Sequence, residues 1–174
     1  MGMKTLKKEN IEQLLKIIQN KPGQRIVHFT SHTHPLIEPL KKLCEVYESH
    51  YHLYCTEETY YKECLAQYKE HPLIHVTNFK LRRPRYLMQG IEFDYLFTTL
   101  DYTKESKKEF LEKCYPIIRT GGNILIIIPN SNYPERDEWR DILEEQYYVS
   151  VTIIDDMFIN HDVIVAKRMH GWGN

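Results

Sequence analysis

The chain has 174 residues, 42% hydrophobic and 12% aromatic, which fits one globular domain with a single sizeable core. Its 23 Lys and Arg stand against 24 Asp and Glu, a formal net charge of -1, so no global charge points to nucleic acid or a membrane surface. No apolar run approaches the ~20 residues needed to cross a bilayer.

The opening segment carries Leu6, Ile11, Leu14, Leu15, Ile17 and Ile18 at spacings of three and four, which predicts an amphipathic helix over residues 1–22 that packs on the core. Pro22-Gly23 ends it. Arg25 to Phe29 is a short apolar run, the first strand. Thr30-Ser31-His32-Thr33-His34-Pro35 then leads into a helix, with Pro35 suited to a first turn. Leu36, Leu40, Leu43, Val46 and Tyr47 form the stripe of that helix. Tyr51 to Cys55 is the second strand. Thr56 is the expected N-cap of the next helix, with Glu57 and Glu58 in a favourable place at its start. Tyr60, Tyr61, Cys64, Leu65 and Tyr68 continue it.

Pro72 to Thr77 is the third strand. Residues 79–90 read as irregular and basic, with Lys80, Arg82, Arg83 and Arg85 around Pro84. Phe93 to Thr98 is the fourth strand. Thr103 caps a helix with Phe110, Leu111, Cys114, Ile117 and Ile118, which Gly121-Gly122 is expected to end. Asn123 to Pro129 is apolar without alternation, which predicts burial on both faces in the centre of a parallel sheet. A helix over Pro134–Gln146 follows, then strands over Tyr147–Ile154 and His161–Lys167 about a turn at 155–160. The last two strands leave no room for a helix between them and should form an antiparallel hairpin. The expectation is an α/β domain over 1–174, a three-layer doubly wound sheet of seven strands, mostly parallel, with a C-terminal antiparallel hairpin.

Two passages sharpen this. Phe93-Asp-Tyr-Leu-Phe-Thr-Thr99 resembles the FDxV strand of the class I, Rossmann-like S-adenosylmethionine-dependent methyltransferases. Ile117-Ile-Arg-Thr-Gly-Gly-Asn-Ile-Leu-Ile-Ile127 is similar to that family's "vLkpGG.l.i" passage into its fifth strand. The resemblance covers residues 8–168. It implies strand order 3-2-1-4-5-7-6 and S-adenosylmethionine lying across the C-terminal ends of strands 1 to 4. It further implies a cofactor set of Thr30, Ser31 and His32 after strand 1, Glu57 after strand 2, Asn78 and Phe79 after strand 3, and Thr98 at the end of strand 4.

Three departures bear on that set. The family's GxG turn lets backbone approach the cofactor, since glycine has no Cβ and tolerates positive φ; here Thr30-Ser31-His32 put three Cβ atoms there. The ribose-binding carboxylate expected at the end of strand 2 is replaced by Cys55 or Thr56, and Glu57 could serve only with an offset. Asn78 stands where the family has an Asp that meets the adenine amino group, and its amide oxygen can accept the same bond. Phe79 could stack on that ring or pack in the core.

Other candidates have plain and functional readings. His32 and His34 are too weak a pair to define a metal site, and none is expected. Their loop could be solvated, with hydroxyls capping the following helix, or it could bind an anion at the helix N-terminus. His28 and His75 lie inside strands and read as buried, satisfied histidines. Lys80, Arg82, Arg83 and Arg85 could take a phosphate-bearing acceptor, RNA included, or form a solvated loop paired with acids. Asp101 is the candidate acceptor-facing catalytic residue; it could instead open the helix beside Thr103. The acceptor, small or macromolecular, is open. Trp172 in the tail could meet a partner or a second copy in a homodimer. The N-terminal residues lack a signal peptide's apolar core, and Cys44, Cys55, Cys64 and Cys114 form no CxxC pair. A cytoplasmic protein without a disulfide framework is expected. A catalytically inactive module on the same fold is the rival to an enzyme.

Overall fold

The computed structural model describes residues 6–169, so Trp172 lies outside the described residues. The strands are β1 (Arg25–Thr30), β2 (His50–Cys55), β3 (Ile74–Asn78), β4 (Phe93–Thr98), β5 (Ile118–Pro129), β6 (Tyr148–Phe158) and β7 (His161–Arg168). The helices are α1 (Lys8–Leu14), α2 (Ile37–Tyr47), α3 (Glu58–Tyr68), α4 (Lys104–Cys114) and α5 (Tyr133–Glu145). The strands form one sheet in the order β3-β2-β1-β4-β5-β7-β6. β1 to β5 pair in parallel, and β7 runs antiparallel to both β5 and β6. Order and hairpin are those the resemblance implies.

The two-residue side-chain period of a strand splits the core into two layers. Ile26, Tyr51, Leu53, Phe97, Leu125 and Val163 face one way and meet α1, α2 and α3 through Ile11, Leu40, Cys44 and Cys64. Val27, Phe29, Tyr54, Leu96, Ile126 and Ile164 face the other way and meet α4 and α5 through Phe110, Leu111, Trp139 and Leu143. β5 feeds both layers, and Ile124, Leu125 and Ile126 are each fully buried. Each such side chain stabilises the fold by about 1.5–3 kcal/mol.

Residues 79–92 contain no helix, yet they complete the second layer. Phe79 stacks on Tyr54 with ring centroids 4.7 Å apart and meets Phe29 and Tyr86 edge-on at 5.1 and 4.8 Å. The Tyr86 hydroxyl donates to the Leu81 carbonyl at 2.7 Å, which fixes the loop against the ring it contributes.

Several boundaries differ from the sequence reading. Regular α1 ends at Leu14, followed by a 3₁₀ turn over Leu15–Ile17, well before Pro22-Gly23. Gly121-Gly122 does not end a helix: α4 stops at Cys114 and Pro116 sits in a 3₁₀ turn, where its ring and missing N–H bar a longer α-helix. The glycines lie instead inside β5, where the β4–β5 register jumps between Phe93–Ile118 and Tyr95–Asn123. β6 continues to Phe158, shortening the expected turn. Val46 is 72% exposed rather than part of the α2 stripe.

Candidate functional site

Parallel strands bring their C-terminal ends to one rim. Register places Thr30 beside Cys55 and Cys55 beside Asn78, so the segments after β1, β2 and β3 meet there. Thr56 N–H donates to the Thr30 carbonyl at 3.0 Å, and Phe79 N–H to the Cys55 carbonyl at 2.9 Å. A cavity of about 240 Å³ at this rim is lined by Thr56, Lys80, Leu81 and Arg82.

Asn78 is the most informative residue of the set. Its Oδ1 is buried without a hydrogen-bond partner. A buried acceptor left unpaired costs about 1–3 kcal/mol, and Asn78 lies just before the cavity-lining Lys80. The structure thus leaves an acceptor at the position where the resemblance implies the adenine amino group.

The loop after β1 folds onto itself. Thr30, only 1% exposed, donates through Oγ1 to the His32 carbonyl at 2.6 Å. Ser31 Oγ meets His32 Nδ1 at 3.0 Å, and His32 itself is exposed. No hydroxyl of this loop caps α2; its side-chain acceptor is His34 Nδ1, which receives the Leu36 N–H at 3.1 Å. The His34 carbonyl takes the Ile37 N–H. Two donors that an anion would need at this helix start are therefore engaged. Because Nδ1 accepts, the proton of the neutral His34 ring sits on Nε2. Burial, with His161 and His32 nearby, lowers its pKa to about 4.

Glu57, not Thr56, caps α3: its carboxylate accepts from Thr59 N–H at 3.0 Å and Tyr60 N–H at 2.7 Å. These bonds to the charged form lower its pKa. The capping role turns the carboxylate toward its own helix, although it remains exposed.

Phe79 is fully buried in the aromatic cluster, so it is a packing residue and offers no face to a ligand ring. Thr98 is likewise fully buried, its hydroxyl bonded to the Tyr102 hydroxyl. Asp101 is exposed just beyond β4. It does not cap α4, which starts with a reciprocal capping box between Thr103 and Ser106.

The four basic residues separate. Lys80, Arg82 and Arg85 are exposed, whereas Arg83 is half-buried, over the Phe79 ring at 5.4 Å and against Met88 Sδ at 3.0 Å. Among the described residues, none of the four joins an ion pair. Lys80 and Arg82 thus remain available at the cavity.

A buried polar chain that no local motif announces runs through β1 and β2. His28 is fully buried, with Nδ1 2.9 Å from the Tyr51 hydroxyl and Nε2 3.0 Å from Thr99 Oγ1. Its saturation fits the plain reading. His75 also has a partner, His50 Nδ1 at 2.8 Å from its Nε2. Tyr51 and Thr99 belong to this network only through register, which no local motif encodes. Among the described residues, no three His, Cys, Asp or Glu side chains are grouped to hold a metal ion, and no helix is long and apolar enough to cross a membrane.

No family model matches the chain, and no curated protein does. Solved structures do. A SAM-dependent O-methyltransferase from Thermotoga maritima superposes with TM-score 0.68 at 15% identity, over 94% of this chain and 66% of that one. The CurJ carbon methyltransferase gives 0.67 at 12% identity, over 96% of this chain and 54% of that one. A TehB-like SAM-dependent methyltransferase from Corynebacterium glutamicum gives 0.69 at 9% identity, over 91% and 86%. The chain thus spans less than two thirds of the first two. The sheet order, the hairpin and these superpositions agree: the chain has the class I S-adenosylmethionine-dependent methyltransferase fold.

Proposed function

We propose that this protein binds S-adenosylmethionine at the rim formed by β1, β2 and β3 and transfers its methyl group to an acceptor held beside β4. One observation carries the reading: the buried, unpartnered Oδ1 of Asn78 at the end of β3, beside Cys55 in the sheet register and two residues before Lys80. An amino N–H on an adenine ring is the donor that this oxygen lacks. Bound there, S-adenosylmethionine would supply an activated methyl group. The protein's part is then chiefly to orient the acceptor and exclude water, with a base required only for some acceptors. Asp101, exposed past β4 and free of a capping role, is the acceptor-facing carboxylate in this reading. Lys80, Arg82 and Arg85 would attract a phosphate-bearing acceptor, RNA among them. This reading assigns the protein to a reducing cytoplasm, since its four cysteines form no CxxC pair and disulfide frameworks belong to oxidising compartments.

A second reading is favoured by the β1 loop. Thr30, Ser31 and His32 satisfy one another, and their Cβ atoms occupy the path that glycines leave open in the family. A protein with this loop could keep the fold as a binding module without the cofactor.

Calorimetric titration with S-adenosylmethionine and S-adenosylhomocysteine separates the two. The enzyme reading expects saturable micromolar binding. It also expects Asn78→Ala to weaken binding about two- to twelvefold, the loss of one hydrogen bond of about 0.5–1.5 kcal/mol. Absence of heat up to about 1 mM ligand, an affinity no better than about -4 kcal/mol, leaves the module reading.

A further inference from the structure

We propose that a cavity at the start of β4, on the rim opposite the one assigned to S-adenosylmethionine, binds a phosphate-bearing small molecule. The site shares no residue with the methyl-transfer reading and does not depend on it.

Sheet register builds the floor of this cavity. Tyr95, Asn123 and Lys167 stand side by side across β4, β5 and β7, and residues directly opposite each other in a sheet present their side chains on one face. Tyr95 packs in the layer that α1 covers, so Asn123 and Lys167 look the same way. At this rim α1 has ended, and the chain runs through Ile17, Gln19 and Lys21 toward β1. The Tyr95 hydroxyl holds that passage, accepting from Gln19 N–H at 3.1 Å and donating to the Ile17 carbonyl at 3.2 Å. Gln24 fixes the next stretch, its Nε2 donating to the Gln19 and Lys21 carbonyls at 2.7 and 3.2 Å. Residues 119–122 pair with neither β4 nor β7, and their bulge forms one wall. The enclosed space is about 510 Å³.

Its electrostatics favour an anion. Asp94 is the one acid among the described lining residues, and it is engaged: Arg119 Nη1 lies 2.9 Å from one oxygen, and the Arg25 N–H donates to the other at 2.9 Å. Lys21 and Lys167 also line the cavity, and both are exposed. Among the described residues, neither ammonium joins an ion pair. Two positive charges are thus left over. Asn123 adds a second, independent observation. It is only 8% exposed, yet its carboxamide has no hydrogen-bond partner among the described residues. Two N–H donors therefore stand unused, beside the Lys167 ammonium. Lysine binds phosphate as a point charge, and a phosphate monoester carries about -1.5 to -2 at pH 7, which two lysines match. The cavity has the volume of small-ligand pockets, about 300–1,000 Å³. It leaves room for an organic body against Ile17 and the Tyr95 ring.

Calorimetric titration at low ionic strength, with phenyl phosphate and inorganic phosphate as the probes, tests this. Phenyl phosphate should bind saturably at one site, and more tightly than inorganic phosphate. Added salt should weaken it, since exposed charges are screened over about 10 Å at 0.1 M. Lys21→Ala and Lys167→Ala, both at exposed positions that the fold tolerates, should each weaken binding about tenfold, the order of one charge-assisted hydrogen bond. Saturating S-adenosylhomocysteine should leave the affinity unchanged. In amide NMR spectra of the unmodified protein, phenyl phosphate should shift the Gly121 and Gly122 resonances and the Asn123 side-chain amide. Absence of saturable binding of either probe up to about 10 mM overturns the proposal. So does undiminished affinity in the double variant Lys21→Ala/Lys167→Ala. Displacement by S-adenosylhomocysteine, or resonance shifts confined to residues 79–92, would put the anion at the other rim and likewise overturn it.

Discussion

At Gly122 the backbone leaves no room for a side chain. A Cβ there would lie 2.8 Å from the Arg119 carbonyl oxygen and 2.9 Å from that of Asp94, and both are backbone atoms that cannot swing aside. The crowding arises where residues 119–122 bulge out of the β4–β5 register. Gly122→Ala should therefore destabilise by about 1–3 kcal/mol through overpacking. Urea unfolding would show a lower midpoint at unchanged slope; an unaltered midpoint would mean that the bulge relaxes freely. The same scale bears on the thirteen tyrosines. Several are packing residues whose hydroxyls are tied down: Tyr95 donates to the Ile17 carbonyl at 3.2 Å, Tyr148 to Leu111 at 2.8 Å and Tyr86 to Leu81 at 2.7 Å. Each buries a ring and satisfies its polar tip, the arrangement that buried tyrosines require.

Among the elements, the 79–92 segment does the work of a missing helix, and one residue tests this. Tyr86 is 3% exposed and contacts Phe29, Phe79 and Phe110. Tyr86→Ala should cost about 3–5 kcal/mol, as for other large aromatic truncations, and limited proteolysis should then cut within the basic loop first. A loss under about 1 kcal/mol would show that the loop merely rests on a finished core. This segment also marks how far the elements could be read in advance. β1, β4 and β5 were legible because their apolar runs have strand length and burial on both faces. Strand order was legible only through the Phe93–Thr99 and Ile117–Ile127 passages. What escaped was set by competing partners, some close in the chain and some distant. Gly121-Gly122 has the local signature of a helix stop, but Pro116 ends the helix earlier and the glycines serve a bulge against β4. Glu57 has two readings in the sequence, a residue at the start of α3 and, with an offset, the ribose carboxylate that the resemblance implies; the amides of Thr59 and Tyr60 engage it in the first. Phe79 and Thr98 have site-like positions, but whether a side chain faces cleft or core depends on the residues packed over it. The place of Asn78 at the end of β3 was legible; its unpaired oxygen was not.

For the molecule as a whole, buried neutral histidines couple stability to pH. Burial lowers His28 far below its ordinary 6.5, His34 to about 4 and His52 to about 3, and it lowers His75 and His161 as well. Neighbouring imidazoles add to the effect: His34 on His28, and His75 and His50 on His52. Asp162 partly opposes it at His161. The unfolded chain binds these protons near 6.5, whereas the folded chain resists them until lower pH, most strongly at His28, His34 and His52. Between those values the unfolded state holds more protons, so stability is full above about pH 6.5 and falls as the pH drops. Each unit of depression is worth about 1.36 kcal/mol, and five such histidines make the fall steep. The lowered carboxylates of Glu45 and Glu57 act in the same direction, but only below their ordinary 4.5, so the upper part of the window belongs to the imidazoles. Urea midpoints measured from about pH 7.5 to 5 should decline continuously, at a slope that reports more than one proton taken up on unfolding. His28→Gln, which keeps a neutral donor and acceptor between Tyr51 and Thr99, should lower stability at neutral pH and flatten the decline. Midpoints that hold level down to about pH 5 would mean that these imidazoles titrate as freely in the folded protein as in the unfolded chain.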